Sequence, residues 1–346
     1  MIEGVETNVV IPSSAATHTV MISLQQKGNL NKMKQAIEGT SNSKTMDSQI
    51  TTLSDEYGDP HTYGLITVTG RKTQLKLAIR DVEKLGHASV GTRKIYMYIL
   101  QLINQQCINH KGDFFNDSVT FPLQDLVDMG IYNREQSARK GFHAAMLILE
   151  SFSVEFHYKI YAGNGKKVAS RQDGCIVLFT GHFVKNRICT IFLNNKAAWN
   201  QLASNHWMIM PDYYGYLAGE AVDLIYQIFY LARQRTSEIS TNASFTIKLA
   251  TVHKGLALRD PAETNDIHRD IYRKVDSAIN QISARNDKLE QERGCRPFDL
   301  ALETPEFDKT GKVKDWMEGR LRVTFGTEYQ AYYSTLKPVK SISDSQ

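Results

Sequence analysis

Residues 118–131 read SVTFPLQDLVDMGI and residues 242–256 read NASFTIKLATVHKGL. In the first stretch Val119 and Phe121 alternate with polar neighbours, which predicts a very short strand over 119–121. Pro122 then suits the first turn of a short helix over 123–129, where its missing N–H would have no intrahelical partner anyway. The second stretch repeats the pattern: with Phe121 laid on Phe245, Leu123 falls on Ile247.

Upstream of the first stretch, Ile95, Ile99, Leu102, Ile103 and Gln106 recur at spacings of three and four behind Thr92 as N-cap, which predicts an amphipathic helix over 91–107. Downstream, Asn133 caps a helix with a buried stripe of Ala138, Phe142, Ala145, Met146, Leu149 and Phe152. Its opposite side carries Arg134, Gln136, Arg139, Lys140 and His143. SVEFHYKIYA (153–162) then alternates as a strand, GNGKK (163–167) is a tight turn, and CIVLFTGHFV (175–184) and RICTIFL (187–193) follow as strands. Ahead of it all, LITVTGRKTQLKLAI (65–79) alternates across a turn centred on Gly70 and marks the expected start of the folded region.

The second half returns to the same order. A helix over 217–235 precedes the repeated stretch, and a long helix begins at Thr264 or Asp266 with Ile267, Ile271, Val275, Ile279 and Ile282 inward. WMEGRLRVTFGTEYQAYY (316–333) has hairpin character around 321–325. Helix, strand, helix, longer helix and hairpin, occurring twice, predict an α+β chain of tandem winged-helix (helix-turn-helix plus β-hairpin wing) domains, over 61–212 and 213–346. In that layout two helices form an apolar base and the third presents its polar face to a DNA major groove, which is wide enough to admit a helix.

A length of 346 residues fits two folded units plus extras, at ~100–200 residues per domain. The 42% hydrophobic and 23% charged composition excludes a wholly disordered chain. The first 60 residues, with 22 Ser, Thr, Asn or Gln, read as a mostly disordered polar tail with a short helix near 30–37, either a solubilising leader or a docking segment. Net charge is +4, but residues 1–60 hold 4 Lys+Arg against 7 Asp+Glu, residues 61–212 hold 18 against 11, and residues 213–346 hold 19 against 19. The basic excess therefore belongs to the first module, which is compatible with a polyanion or with an ordinary solvated surface.

The apolar run LIYQIFYLA (224–232) is about half of the ~20 residues a membrane span needs, and no basic n-region opens the chain as in a secretory signal. Cys107, Cys175, Cys189 and Cys295 form no CxxC pair, which points to reduced thiols and a cytoplasmic protein. The dispersed histidines lack metal-site spacing, and GNGKKV lacks both the spacing and the hydroxyl of a phosphate-binding loop. The expectation is a non-enzymatic protein without cofactor or metal.

The blocks TRKIYMYILQLIN (92–104), VTFPLQDLVDMGI (119–131) and RKGFHAAMLILESFSVEF (139–156), set in the tandem arrangement, resemble the two-winged-helix replication initiators of bacterial plasmids and related mobile elements, over about residues 63–335. The resemblance implies binding to double-stranded DNA at repeated origin sites, local duplex opening, recruitment of the host initiator and helicase, and dimerisation as a switch. The long polar tail and the charge-neutral second half depart from that pattern. A winged-helix transcriptional regulator and a winged-helix protein-interaction module are the alternatives.

Candidate DNA-binding residues follow from these placements. Arg134, Gln136, Arg139, Lys140 and His143 line the polar side of the first long helix, where a merely solvated face is the competing account. Lys159, Lys166, Lys167 and Arg171 surround the glycine-containing turn and can form a basic wing that positions without specifying sequence. In the second module the candidates are Arg269, Arg273 and Lys274 on the long helix, with Arg259 ahead of it, and Arg320 and Arg322 on the second wing; Asp266, Asp270 and Asp276 make ion pairing along the helix the alternative. The aromatic run 207–216, WMIMPDYYGY, can stack unpaired bases, but packing at the junction of the modules is the stronger reading.

Overall fold

A computed structural model describes residues 8–12, 15–27, 29–40, 44–54, 59–69, 73–107, 116–161, 167–194, 207–303 and 313–336. The chain divides into an N-terminal unit, Val10–Trp207, and a C-terminal unit, Met208–Gln346 together with Met1–Val9. The boundary lies five residues before the one expected at 212/213.

The expected disordered tail is folded wherever it is described. After strand β1 (Asn8–Pro12) come helices α1 (Ala15–Gln25) and α2 (Leu30–Thr40). Val20, Met21, Ile22 and Leu24 of α1 and Met33, Ala36 and Ile37 of α2 are buried. Averaged over 60 residues these apolar side chains look sparse, but they are concentrated in VMISL and at helical spacing in α2. The polar residues of α1 are buried as well, and Ser23 is satisfied by donating its hydroxyl to the Thr19 carbonyl at 2.7 Å. Strand β2 (Lys44–Ser54) then pairs antiparallel with β3 (Pro60–Thr69), so its Thr and Ser residues form an edge strand, a setting that favours β-branched polar side chains.

Strands β2 and β3 belong to a five-stranded sheet ordered β2-β3-β4-β6-β7, with β4 (Thr73–Arg80), β6 (Phe152–Tyr161) and β7 (Lys167–Val177). Between β4 and β6 run α3 (Val90–Leu102), β5 (Ser118–Pro122), α4 (Asp125–Asp128) and α5 (Glu135–Leu149). Ser89, not Thr92, is the N-cap of α3; its hydroxyl accepts from the Thr92 amide at 3.1 Å, and the Thr92 hydroxyl accepts from the Ser89 amide at 3.2 Å. Phe121 of β5 meets Tyr98 of α3 and Phe142 of α5 edge-on at 5.1 and 5.7 Å, which ties the strand to the helices.

β6 and β7 do not form the separate hairpin expected after α5. Val154 and Phe156 of β6 pair with Leu77 and Leu75 of β4, so the hairpin after α5 extends the five-stranded sheet. The hairpin that pairs with β5 is the next one, β8 (Phe179–Lys185) and β9 (Ile188–Leu193), in a three-stranded sheet ordered β5-β9-β8. Its two-residue turn, Asn186–Arg187, has φ of 50° and 63°, the left-handed pair that matches strand twist.

The C-terminal unit contains β10 (Trp207–Pro211), α6 (Glu220–Gln234), α7 (Thr236–Asn242), β11 (Ser244–Lys248), α8 (Leu249–Gly255), α9 (Arg273–Arg293), β12 (Phe298–Glu303), α10 (Val313–Glu318), β13 (Arg320–Phe325) and α11 (Thr327–Thr335). Its sheet is ordered β11-β13-β12, so strand, long helix and hairpin follow the same connectivity as β5, α5 and β8–β9. Burial puts Val119 and Phe121 at the positions equivalent to Phe245 and Ile247, a register two residues away from the Phe121-on-Phe245 alignment. A slip of two keeps every side chain on its face, so alternation alone does not detect it. The long helices repeat more strictly: Ala138, Phe142, Ala145, Met146 and Leu149 match Ile271, Val275, Ala278, Ile279 and Ile282 in order and spacing, all buried.

Candidate nucleic-acid interface

Helix α5 begins one residue later than expected, with Arg134 rather than Asn133 at its N-cap. Because the buried stripe faces α3 and β5, Arg134, Gln136, Arg139 and Lys140 are exposed, and Arg134, Arg139 and Lys140 carry no ion pair among the described residues. His143 is different. It is half-buried in the seam between α5 and β8, where its Nδ1 lies 2.9 Å from Nε2 of His182. The other ring nitrogen of His182, Nδ1, is 2.6 Å from a carboxylate oxygen of Glu150 at the end of α5, and the His182 ring meets Phe142 edge-on at 5.4 Å. Burial, with His182 and Arg139 beside it, holds the His143 pKa below its ordinary value.

Cations missed by the sequence reading lie on the hairpin of this sheet. Lys185 is exposed at the end of β8, and Arg187, its side chain 81% exposed, reaches Glu135 in the first turn of α5 at 3.1 Å. Lys185–Asn186–Arg187 between two apolar strands is the sequence signal for this turn, while the glycine turn at 163–167 lies nearer to α5 in the chain. Lys159 lies in β6, and Lys167 and Arg171 lie in β7, in the five-stranded sheet; Lys166 is outside the described residues.

In the C-terminal unit most candidate cations are spoken for. Arg269 donates to Asp270 at 2.9 Å, Lys274 pairs with Glu220 at 3.1 Å, and Arg322 pairs with Glu303 across the sheet. Hydrogen bonds from Arg269 and from the Thr264 hydroxyl hold Asp270 down to about 2, and Arg259 approaches the same carboxylate at 3.4 Å. Arg273 and Arg320 are exposed without an ion pair among the described residues. The spacing of the two long helices puts Arg273 at the position of Lys140, Ser277 at that of Ala144 and Asn280 at that of Leu147. A groove along α9 is lined by Arg273, Asp276, Ser277, Asn280, Gln281 and Ala284. Ser277 and Asn280 are exposed on this helix but uncharged, so a basic-face pattern does not reveal them.

The aromatic run 207–216 is largely internal. Tyr213 and Tyr214 are buried, and the Tyr213 hydroxyl donates to Oδ1 of Asn286 at 2.6 Å, while Nδ2 of Asn286 donates to the Phe298 carbonyl at 2.6 Å. Stacking of bases on these two rings is excluded by their burial. Among the described residues no group of three or more His, Cys, Asp or Glu is placed to hold a metal ion, and no helix is long and apolar enough to cross a membrane.

No protein-family model matches the chain, and no curated protein matches it. Among solved structures, the chain is similar to domains 2 and 3 of RctB. The structure of RctB-155-483 aligns with 10% identity and a TM-score of 0.40, covering 84% of this chain and 95% of that one. A selenomethionine form of RctB domains 2 and 3 aligns with 11% identity and a TM-score of 0.41, covering 76% and 90%.

Proposed function

We propose that both three-helix, three-strand arrangements are winged helices, and that the chain is a non-enzymatic, sequence-specific double-stranded DNA-binding protein that initiates plasmid-type replication at repeated origin sites. The observation that carries the DNA reading is the equivalence of Lys140 and Arg273: both stand on the outer ridge of the repeated long helix, exposed and without an ion pair among the described residues. On this reading Arg139 and Lys140 grip phosphates or base edges from the N-terminal unit, with Lys185 and Arg187 on the wing supplying backbone contacts. Arg273 and Asn280 of the C-terminal unit have the donors and acceptors that discriminate guanine and adenine in a major groove. Two reading modules on one chain suit repeated sites. Recruitment of a host initiator and helicase, and a homodimeric form, follow from the family resemblance. The test is binding of the purified chain to duplexes carrying the repeats beside its gene and to random duplex, across a salt series. Affinity for the repeats should exceed that for random duplex and fall steeply with salt as counterions are released. Absence of binding to either duplex at ~50 mM salt overturns the reading.

A further inference from the structure

The outward faces of the two equivalent sheets differ in kind. In the C-terminal unit that face is polar and charged, with Arg320, Arg322 and Thr324 on its central strand. In the N-terminal unit it presents Phe183, Phe192 and Ile188, which are 44%, 42% and 41% exposed. The two phenylalanine rings lie 5.8 Å apart at a 42° tilt, on neighbouring strands. Opposite Phe192 stands Gly181, where an added Cβ would sit an ordinary 4.0 Å from the ring, so a covering side chain would fit and none is there.

We propose that this face of the β5-β9-β8 sheet, centred on Phe183 and Phe192, stacks unpaired bases of single-stranded DNA. Exposed aromatics on an antiparallel sheet, set beside cations, are a base-stacking platform, because every base has a π-face. Lys185 projects from the same face two residues after Phe183 and supplies charge for the phosphates. A second copy of the chain is the weaker occupant on two counts. The three side chains expose about 250 Å² in all, against ~800 Å² per partner in a stable interface. The outer edge of β5 is also occupied: the Gln106 amide donates to the Thr120 carbonyl at 2.9 Å and accepts from the Thr120 amide at 3.0 Å, blocking strand addition there. The proposal rests on the DNA reading and adds the strand that duplex opening releases.

The experiment compares the full chain with Phe183→Leu/Phe192→Leu and Phe183→Tyr/Phe192→Tyr, using fluorescence anisotropy on a labelled oligothymidine and on a repeat-bearing duplex, with sedimentation for oligomeric state. Leucine keeps the face apolar but removes the rings, whereas tyrosine keeps them. The leucine pair should weaken oligothymidine binding about tenfold or more with duplex affinity unchanged, and the tyrosine pair should bind like the parent. Parent protein that binds duplex but not oligothymidine overturns the proposal and leaves the DNA reading standing. So does a leucine pair with unchanged single-strand affinity, or a parent dimer that these substitutions convert to monomer.

Discussion

Nδ1 of His143 on α5 lies 2.9 Å from Nε2 of His182 on β8, so a ring-to-ring hydrogen bond joins the long helix to the β8–β9 hairpin. His182 Nδ1 in turn lies 2.6 Å from a carboxylate oxygen of Glu150, so the two rings and the carboxylate form one chain of hydrogen bonds across the seam. Because the folded-state pKa of His143 is held down, the unfolded chain takes up a proton there first as pH falls. The seam's stabilisation is therefore complete above about pH 6.5 and declines below it. His143→Gln should flatten the decline of the urea midpoint between pH 7 and 5.5, measured by circular dichroism; parallel profiles for parent and variant would remove the seam as its source.

A larger acid effect is expected from His18 in α1. Full burial lowers its pKa from 6.5 to about 3, so it stays neutral in the fold and charges only on unfolding. The sign is again loss of stability with falling pH, starting near pH 6.5, and by pH 5 it amounts to about 2 kcal/mol. His18→Gln, which cannot titrate, should remove most of that slope in the N-terminal unit. An unchanged slope would mean that His18 does not titrate on unfolding in this range.

Asn286 joins three parts of the C-terminal unit through Tyr213 and the Phe298 carbonyl, and it is fully buried. Asn286→Ala strands a hydroxyl and a carbonyl without water, at roughly 1–3 kcal/mol each. A loss of about 3 kcal/mol in denaturant unfolding is expected, and Tyr213→Phe should cost clearly less in that background than in the parent. Strict additivity of the two substitutions would show that the bond is not formed.

What could be read from the sequence divides along physical lines. The buried stripe of α5 was legible because one face of a helix repeats every three to four residues and nothing else in the window competes. The choice between β6–β7 and β8–β9 as partners of β5 was not, because pairing is decided by non-local edges; β4 offered one to β6, and chain proximity to α5 pointed the wrong way. The tail failed for another reason: composition describes an average, whereas Val20 to Leu24 and Met33 to Ile37 act locally. At the candidate interface, Arg139 and Lys140 were legible as an exposed basic face. The pairing of Arg269 was foreshadowed by Asp266 and Asp270, but that of Lys274 with Glu220 joins two helices far apart in sequence.

That pairing pattern separates cations on one helix. Arg273→Ala and the pair Arg139→Ala/Lys140→Ala should each weaken duplex binding about tenfold and reduce the salt slope by about one for every phosphate no longer neutralised. Arg269→Ala should change affinity by less than about threefold, since its charge is already engaged by Asp270. Anisotropy titrations at two salt concentrations decide it. Equal losses for Arg269 and Arg273 would mean that the ion pair opens on binding.

Arg187 tests whether the tip of the β8–β9 hairpin is kept for stability or for contact. At φ 63° its backbone is left-handed, which costs a residue with a Cβ about 1 kcal/mol and glycine nothing of the kind. Its ion pair with Glu135 is exposed and contributes little in return. Arg187→Gly should therefore raise the unfolding midpoint slightly and, on the proposed DNA reading, lower duplex affinity several-fold, because the hairpin loses a cation for the phosphates. Arg187→Ala, which keeps the strain and loses the charge, should lower affinity equally without the gain in stability. If Arg187→Gly destabilises the fold, the ion pair outweighs the strain; if it binds duplex like the parent, the hairpin tip does not touch DNA.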